Sequence, residues 1–253
     1  MRNMSSELSR LEVIAKWAQE RLKGVGKLLL VAETGATAFG WGVNTDVDVH
    51  GVYAAGDWFD YVHYGGSIEG IPTDLNLRSV RHVLYMSFYH PSFESIMNLA
   101  EPRLCLDLEF CELFDKYVVG SVNKLFFYRH TVDSQLDWYR RDRHPRTALH
   151  AYRVLIQPLC WAKTGRIIKN IYRCIEDLGL GLEGPYICRE AYAKRTRDVD
   201  WSLVDRELEN LYKQYLELFN PAYAPSTSWD SVSYREWYRK AEGVIKLFDK
   251  WLR

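Results

Sequence analysis

The chain has 253 residues, enough for one large domain or two small ones, and its 47% hydrophobic and 14% aromatic content can fill a sizeable core. Its 33 Lys and Arg residues balance its 33 Asp and Glu residues, so the formal net charge is zero. That excludes a global basic field of the kind tight DNA binding uses, and leaves small substrates or RNA held by a local patch as partners.

The N-terminal stretch MRNMSSELSRLEVIAKW is polar and lacks a signal-peptide core. No apolar run of the roughly 18 residues needed to span a bilayer follows, so a cytoplasmic chain with no membrane partner is expected. Residues 5–22 place Leu8, Leu11, Ile14, Ala15, Trp17 and Ala18 near one helical face, and Gly24 and Gly26 end that helix. Residues 27–32 read as a buried strand. After a glycine turn, the valine-rich 46–54 (DVDVHGVYA) reads as a second strand and WFDYVHY at 58–64 as a third. Gly65-Gly66 reads as a turn, and IPTDLNLR at 71–78 alternates as a fourth strand. Ser79 caps a helix over 80–89, His90-Pro91 breaks it, and Ser92 caps another through about residue 100. From residue 106 onward the apolar spacing predicts helices at 107–118, 121–142, 146–164, 166–178, 200–218 and 231–252, with a loop at 220–229. The expected fold class is α+β (α/β), with a mixed-sheet part over residues 1–101 and a helical part over 102–253 that meet near Glu101-Pro102. The five cysteines are odd in number and form no CxxC pair, which predicts free, mostly buried thiols rather than a zinc site or disulfide framework.

The chemistry concentrates between Gly35 and Asp48. Asp46 and Asp48, two apart on a strand, point to the same side, and their repulsion is costly unless a cation lies between them. Gly35 permits close approach of the backbone to a phosphate, and a helix start near 36–41 offers unpaired N–H groups to it. Two carboxylates beside a phosphate suit Mg²⁺, a hard cation that prefers oxygen ligands. Asp74, in the alternating TDLNLR, is the candidate third carboxylate for a two-metal site, or else a salt-bridged strand residue.

Thr34-Gly35-Ala36 followed by Asp46-Val47-Asp48-Val49 resembles the nucleotidyltransferase superfamily that includes DNA polymerase β. More narrowly, Glu33-Thr34-Gly35-Ala36, Phe39-Gly40-Trp41 and the run Thr45 to Tyr53 look like a group of predicted nucleotidyltransferases, some encoded beside RNA ligases. In that group the corresponding segments read Glu-Ser-Gly-Ser, an aromatic-Gly pair, and Ser-Asp-x-Asp-Val-Arg with a Tyr. Its later Asp strand, Leu-Arg helix start, Asn-Pro, Glu and Arg-Pro-Leu match Asp74, Val80-Arg81, His90-Pro91, Glu94 and Gln157-Pro158-Leu159. The likeness spans about residues 28–100 and, loosely, 146–166. Four positions depart from it: Ala36 for Ser, His50 for Arg, His90 for Asn and Gln157 for Arg.

The resemblance implies a small mixed-sheet nucleotidyltransferase core followed by helices. It also implies Asp46, Asp48 and Asp74 as catalytic residues and ligands of Mg²⁺ or Mn²⁺, with Gly35, Ala36, Thr37 and His50 binding the nucleotide. The partner would be a nucleoside triphosphate such as ATP, with RNA among the acceptors in an RNA-repair setting. The alternative is a catalytically weakened nucleotide- or RNA-binding regulatory protein on the same fold, a reading motivated by Ala36, His50 and Gln157. Glu33, His90 and Glu94 read as structural residues, and LYMSFY at 84–89 as core. The basic run YRRDRHPR at 139–146, with Lys163, Arg166 and Lys169, reads either as a solvated helix end or as a phosphate-tracking patch. Nothing in the sequence fixes an oligomeric state.

Overall fold

A computed structural model of the chain describes residues 4–42, 46–55, 61–88, 97–100, 103–119, 124–218, 239 and 241–252. His90, Pro91 and Glu94, the helix expected from Ser92, the junction Glu101-Pro102 and the loop at 220–229 lie outside these residues. Contacts divide the described residues into a sheet unit, made of 4–37, 46–119 and 241–252, and a helical unit, made of 38–42 and 124–218. Segments 103–119 and 241–252, assigned to the helical part on sequence, thus make their contacts with the sheet unit. The fold class is α+β, a mixed sheet with many helices. Among the described residues, no helix is long and apolar enough to cross a membrane.

The sheet has five strands, β1 (Lys27–Thr34), β2 (Val47–Ala54), β3 (Tyr61–Ile68), β4 (Ile71–Ser79) and β5 (Arg103–Cys105), in the spatial order β3-β4-β2-β1-β5. The β2–β4 pair is parallel and the other pairs are antiparallel. Strand β4 alternates strictly, with Thr73, Leu75, Leu77 and Ser79 buried and Asp74, Asn76 and Arg78 partly exposed. Helix α1 (Met4–Arg21) lays Leu11, Ile14, Ala15 and Ala18 on the face that carries Val31, Val47, Val49, Leu75 and Leu77. The opposite face buries Leu30 and Val52 against helix α3 (Val80–Phe88), helix α4 (Leu108–Leu113, continued by a π-turn over Phe114–Val119) and residues 241–252. The other end of that face carries polar side chains and positions the candidate site.

Two features of the sheet differ from the sequence reading. Gly65 and Gly66 lie inside β3, opposite Asp74 and Thr73, and the turn falls at Glu69-Gly70, both at positive φ (49° and 84°). A Cβ on Gly66 would approach the Tyr64 hydroxyl to 2.8 Å, so a side chain there would displace the tip of that ring. Strand β5 is too short, at three residues, to show alternation. The cysteine expectation is corrected as well. The turn at Leu106-Asp107 folds Cys111 of α4 back onto Cys105 of β5, and the two form a disulfide with their Cα atoms 6.3 Å apart. Cys160, Cys174 and Cys188 are free and buried, as expected.

The helical unit contains α5 (Lys124–Asp142), α6 (Pro145–Thr164), α7 (Ile171–Leu178), α8 (Gly184–Ala193) and α9 (Trp201–Leu218). Helix α6 is buried nearly all round, is capped by His144 and ends at Gly165, whose φ of 70° permits the left-handed C-cap. Residues 166–170 break the helix expected at 166–178, because Asn170 caps α7 through Tyr172 and Arg173 N–H. Helix α8 was not anticipated. It opens on Gly184-Pro185, a pair that reads as a loop unless Pro is recognised as a first-turn residue.

Candidate functional site

Strand register sets two of the three predicted carboxylates, Asp48 and Asp74, at facing positions. Asp48 on β2 lies opposite Asp74 on the parallel strand β4 and opposite Thr34 on the antiparallel strand β1. Side chains directly across a pair share a face, so Asp48, Asp74 and Thr34 project to the same side. One step along, His50 lies opposite Asn76, which lies opposite His63 on β3. Asp48, His50 and Asp74 are partly buried, whereas Asp46 precedes β2 and is exposed, next to residues 43–45 that lie outside the described chain.

Gly35 follows β1 with φ 68° and starts the short helical turn α2 (Gly35–Ala38). The Asp48 carboxylate fills the space beside it: a Cβ on Gly35 would overlap that carboxylate and come within 2.8 Å of the Asp48 Cβ. Gly35, Ala36 and Thr37 are partly buried, and Thr34 Oγ1 donates to Asn98 Oδ1 at 2.7 Å. Glu33 points to the other face, is 2% exposed and lies 3.6 Å from Arg10 on α1, which fits the structural role expected of it.

Asp74 sits in a polar cluster that the sequence reading did not single out. His63 Nε2 lies 3.0 Å from Asp74 Oδ1, and Asn76 Nδ2 donates to the same oxygen at 3.0 Å. The Tyr61 hydroxyl donates to Asn76 Oδ1. The Tyr61 and His63 rings are nearly parallel, 6.3 Å apart. Gly65, directly across from Asp74, puts no side chain over it. Further along this face, burial lowers the Arg78 pKa, and Tyr61 partly offsets that effect.

Asp48 and Asp74 offer carboxylate oxygens at facing positions of neighbouring strands, a donor pair that suits a divalent cation, with the His50 and His63 imidazoles on the same face. Among the described residues, however, no three His, Cys, Asp or Glu side chains are gathered as a ligand set. Asp74 Oδ1 is engaged by His63 and Asn76, and Asp46 stands outside the strand pair.

Other sequence-selected residues serve the helical unit. In Phe39-Gly40-Trp41, the Phe39 carbonyl accepts from Ile171 N–H (3.1 Å), Gly40 at φ 96° packs on Asn170, and Trp41 is fully buried against His150. Arg153 stacks over the Phe39 ring at 4.6 Å. Gln157 is buried and donates to the Lys169 carbonyl at 2.6 Å. In the basic run, Arg140 pairs with Asp137 and Arg143 with Asp205, while Lys169 is only 2% exposed. Two of the four arginines in the run are thus paired with carboxylates, while Arg141 donates to the Asp137 carbonyl.

No family model matches the chain, and no curated protein matches it. Among solved structures, a nucleotidyltransferase-like protein from Exiguobacterium sibiricum 255-15, determined at 1.90 Å, aligns over 94% of this chain and 91% of its own, with 11% sequence identity and a TM-score of 0.32.

Proposed function

We propose that the chain is a metal-dependent nucleotidyltransferase, which moves a nucleoside monophosphate from a nucleoside triphosphate to an acceptor hydroxyl. The observation that supports this best is the facing pair Asp48 and Asp74, with Gly35 packed against the first of them. Carboxylates at facing positions of neighbouring strands repel unless a cation lies between them. In this reading Asp46, Asp48 and Asp74 hold Mg²⁺ or Mn²⁺, and the backbone of Gly35, Ala36 and Thr37, with His50, contacts the triphosphate. The metal, when bound, supplies charge neutralisation at the transferred phosphate and lowers the pKa of the attacking hydroxyl. The chain contributes binding and orientation, and no side-chain nucleophile is required. An RNA end is the acceptor to which the sequence resemblance points, in a cytoplasmic setting.

A second reading is a nucleotide- or RNA-binding regulatory protein without transfer activity. The absence, among the described residues, of three gathered ligand side chains favours it. One experiment separates the two. The protein is incubated with each labelled triphosphate, Mg²⁺ or Mn²⁺ and mixed RNAs, alongside Asp48→Ala and Asp74→Ala. Transferred label that is lost in both variants supports the enzyme. Absence of transfer, with nucleotide binding unchanged in the variants, supports the regulatory protein.

A further inference from the structure

Two polar side chains, His63 and Asn76, bond Asp74, and a third, Tyr61, bonds Asn76; their arrangement has a direction. A carboxylate has about four lone-pair sites over its two oxygens. Both donors, His63 Nε2 and Asn76 Nδ2, reach the same oxygen, Oδ1, at 3.0 Å each. They approach from different strands, β3 and β4, so the plane of the carboxylate is fixed by two anchors rather than one. The other oxygen, Oδ2, receives neither of them. The Tyr61 hydroxyl donates to Asn76 Oδ1, which commits the amide nitrogen to Asp74. Opposite Asp74, at Gly65, a Cβ would meet only His63 Cε1, at 3.8 Å, so that side stays open.

Stability does not account for this arrangement. The His63 and Asp74 side chains are 50% and 48% exposed, and ion pairs exposed to that degree contribute little to folding. Hydrogen bonds that hold the outer oxygen of a metal-binding carboxylate, by contrast, recur around metal sites and raise metal affinity.

We infer that Tyr61, His63 and Asn76 are positioning residues, which hold Asp74 by Oδ1 so that Oδ2 is presented to the divalent cation. This rests on the metal-dependent reading above.

The test is Mn²⁺ binding to the full chain, followed by electron paramagnetic resonance, which reads the metal without any turnover. Wild type is compared with Asp48→Asn, Asp74→Asn, His63→Ala, His63→Gln, Asn76→Ala and Tyr61→Phe, with thermal midpoints recorded for each. Wild type binds Mn²⁺, and Asp48→Asn and Asp74→Asn abolish binding. His63→Ala and Asn76→Ala weaken it about 10-fold each with unchanged thermal midpoints. His63→Gln, whose amide N–H can reach the same oxygen, recovers most of the loss. Tyr61→Phe gives a smaller loss in the same direction. The bound ion shows no nitrogen coupling that depends on His63. Wild-type affinity in both His63→Ala and Asn76→Ala, with binding still lost in Asp48→Asn and Asp74→Asn, overturns the positioning role and leaves the enzyme reading intact. A nitrogen coupling that vanishes in His63→Ala overturns it too, because His63 would then be a ligand. Wild-type protein that binds no Mn²⁺ removes the metal-dependent reading itself, and this inference with it.

Discussion

The Asp48 carboxylate occupies the space in which a side chain on Gly35 would sit. A Cβ there would lie 2.8 Å from the Asp48 Cβ and overlap the carboxylate. The glycine at the end of β1 and the acid on β2 are therefore one steric unit, and φ 68° at Gly35 adds a second reason for glycine. Gly35→Ala is expected to cost about 1–3 kcal/mol through the left-handed backbone, and further through displacement of Asp48. Thermal unfolding and label transfer check this, and the transfer rate should fall more than the loss of stability accounts for.

Asp48→Asn and Asp74→Asn remove charge without changing shape. Asp74 Oδ1 persists in Asp74→Asn as an acceptor for Asn76, and the side chain is 48% exposed, so that variant should change metal-free stability by no more than about 0.5 kcal/mol. Nucleotide transfer should fall by at least about 100-fold, the scale on which removal of one electrostatic contact to the transition state acts. Thermal midpoints with and without Mn²⁺ add a check: the metal-induced rise of wild type should be absent from both variants.

Glu207 on α9 is a buried carboxylate that accepts from Glu183 N–H (2.9 Å), Gly184 N–H (3.0 Å) and the Tyr152 hydroxyl (2.7 Å). It satisfies the open N-terminus of α8, where Glu183 gives no side-chain cap. Glu207→Ala strands these donors and is expected to cost about 3 kcal/mol. Gly184→Ala should also destabilise, because a Cβ would lie 2.6 Å from Glu207 Oε2. Urea unfolding measures both, and an unchanged midpoint in Glu207→Ala would refute the capping role.

His150 lies between Trp41 (5.4 Å) and Trp138 (5.6 Å). Burial, then Arg153 and Arg146, lowers its pKa from the ordinary 6.5 to about 3. The unfolded chain takes up this proton near pH 6.5 and the folded chain does not. The contribution is therefore fully present above pH 6.5 and is lost as pH falls from there toward 3. The urea midpoint should drop between pH 7 and pH 4.5, and drop less in His150→Gln. His82, whose pKa is also lowered by burial and then by Arg78, acts in the same direction, so the variant removes part of the trend.

Much of this is legible in the sequence where side-chain periodicity is unopposed. The alternation in TDLNLR and DVDVHG matches β4 and β2, and the register sets Asp74 opposite Asp48, whereas Asp46, read as part of that strand, lies before it. Composition reads Gly65-Gly66 as a turn, yet both residues are paired within β3 and the turn falls at Glu69-Gly70. Tyr61, His63 and Asn76 were missed because their meeting depends on the β3–β4 register, which no single segment encodes. The same holds for Cys105 and Cys111, brought together by a strand-to-helix turn rather than by a CxxC spacing. The Phe39-Gly40-Trp41 segment was readable as a motif, but its packing on Asn170 and His150 required the fold.

The most direct measurement is a crystal of the full chain soaked with Mn²⁺ and a non-hydrolysable nucleoside triphosphate, read by anomalous scattering. A manganese peak about 2.1 Å from carboxylate oxygens of both Asp48 and Asp74, with the triphosphate against Gly35–Thr37, is the expected result. Manganese bound elsewhere, with those two carboxylates uncoordinated while the nucleotide is present, would contradict it.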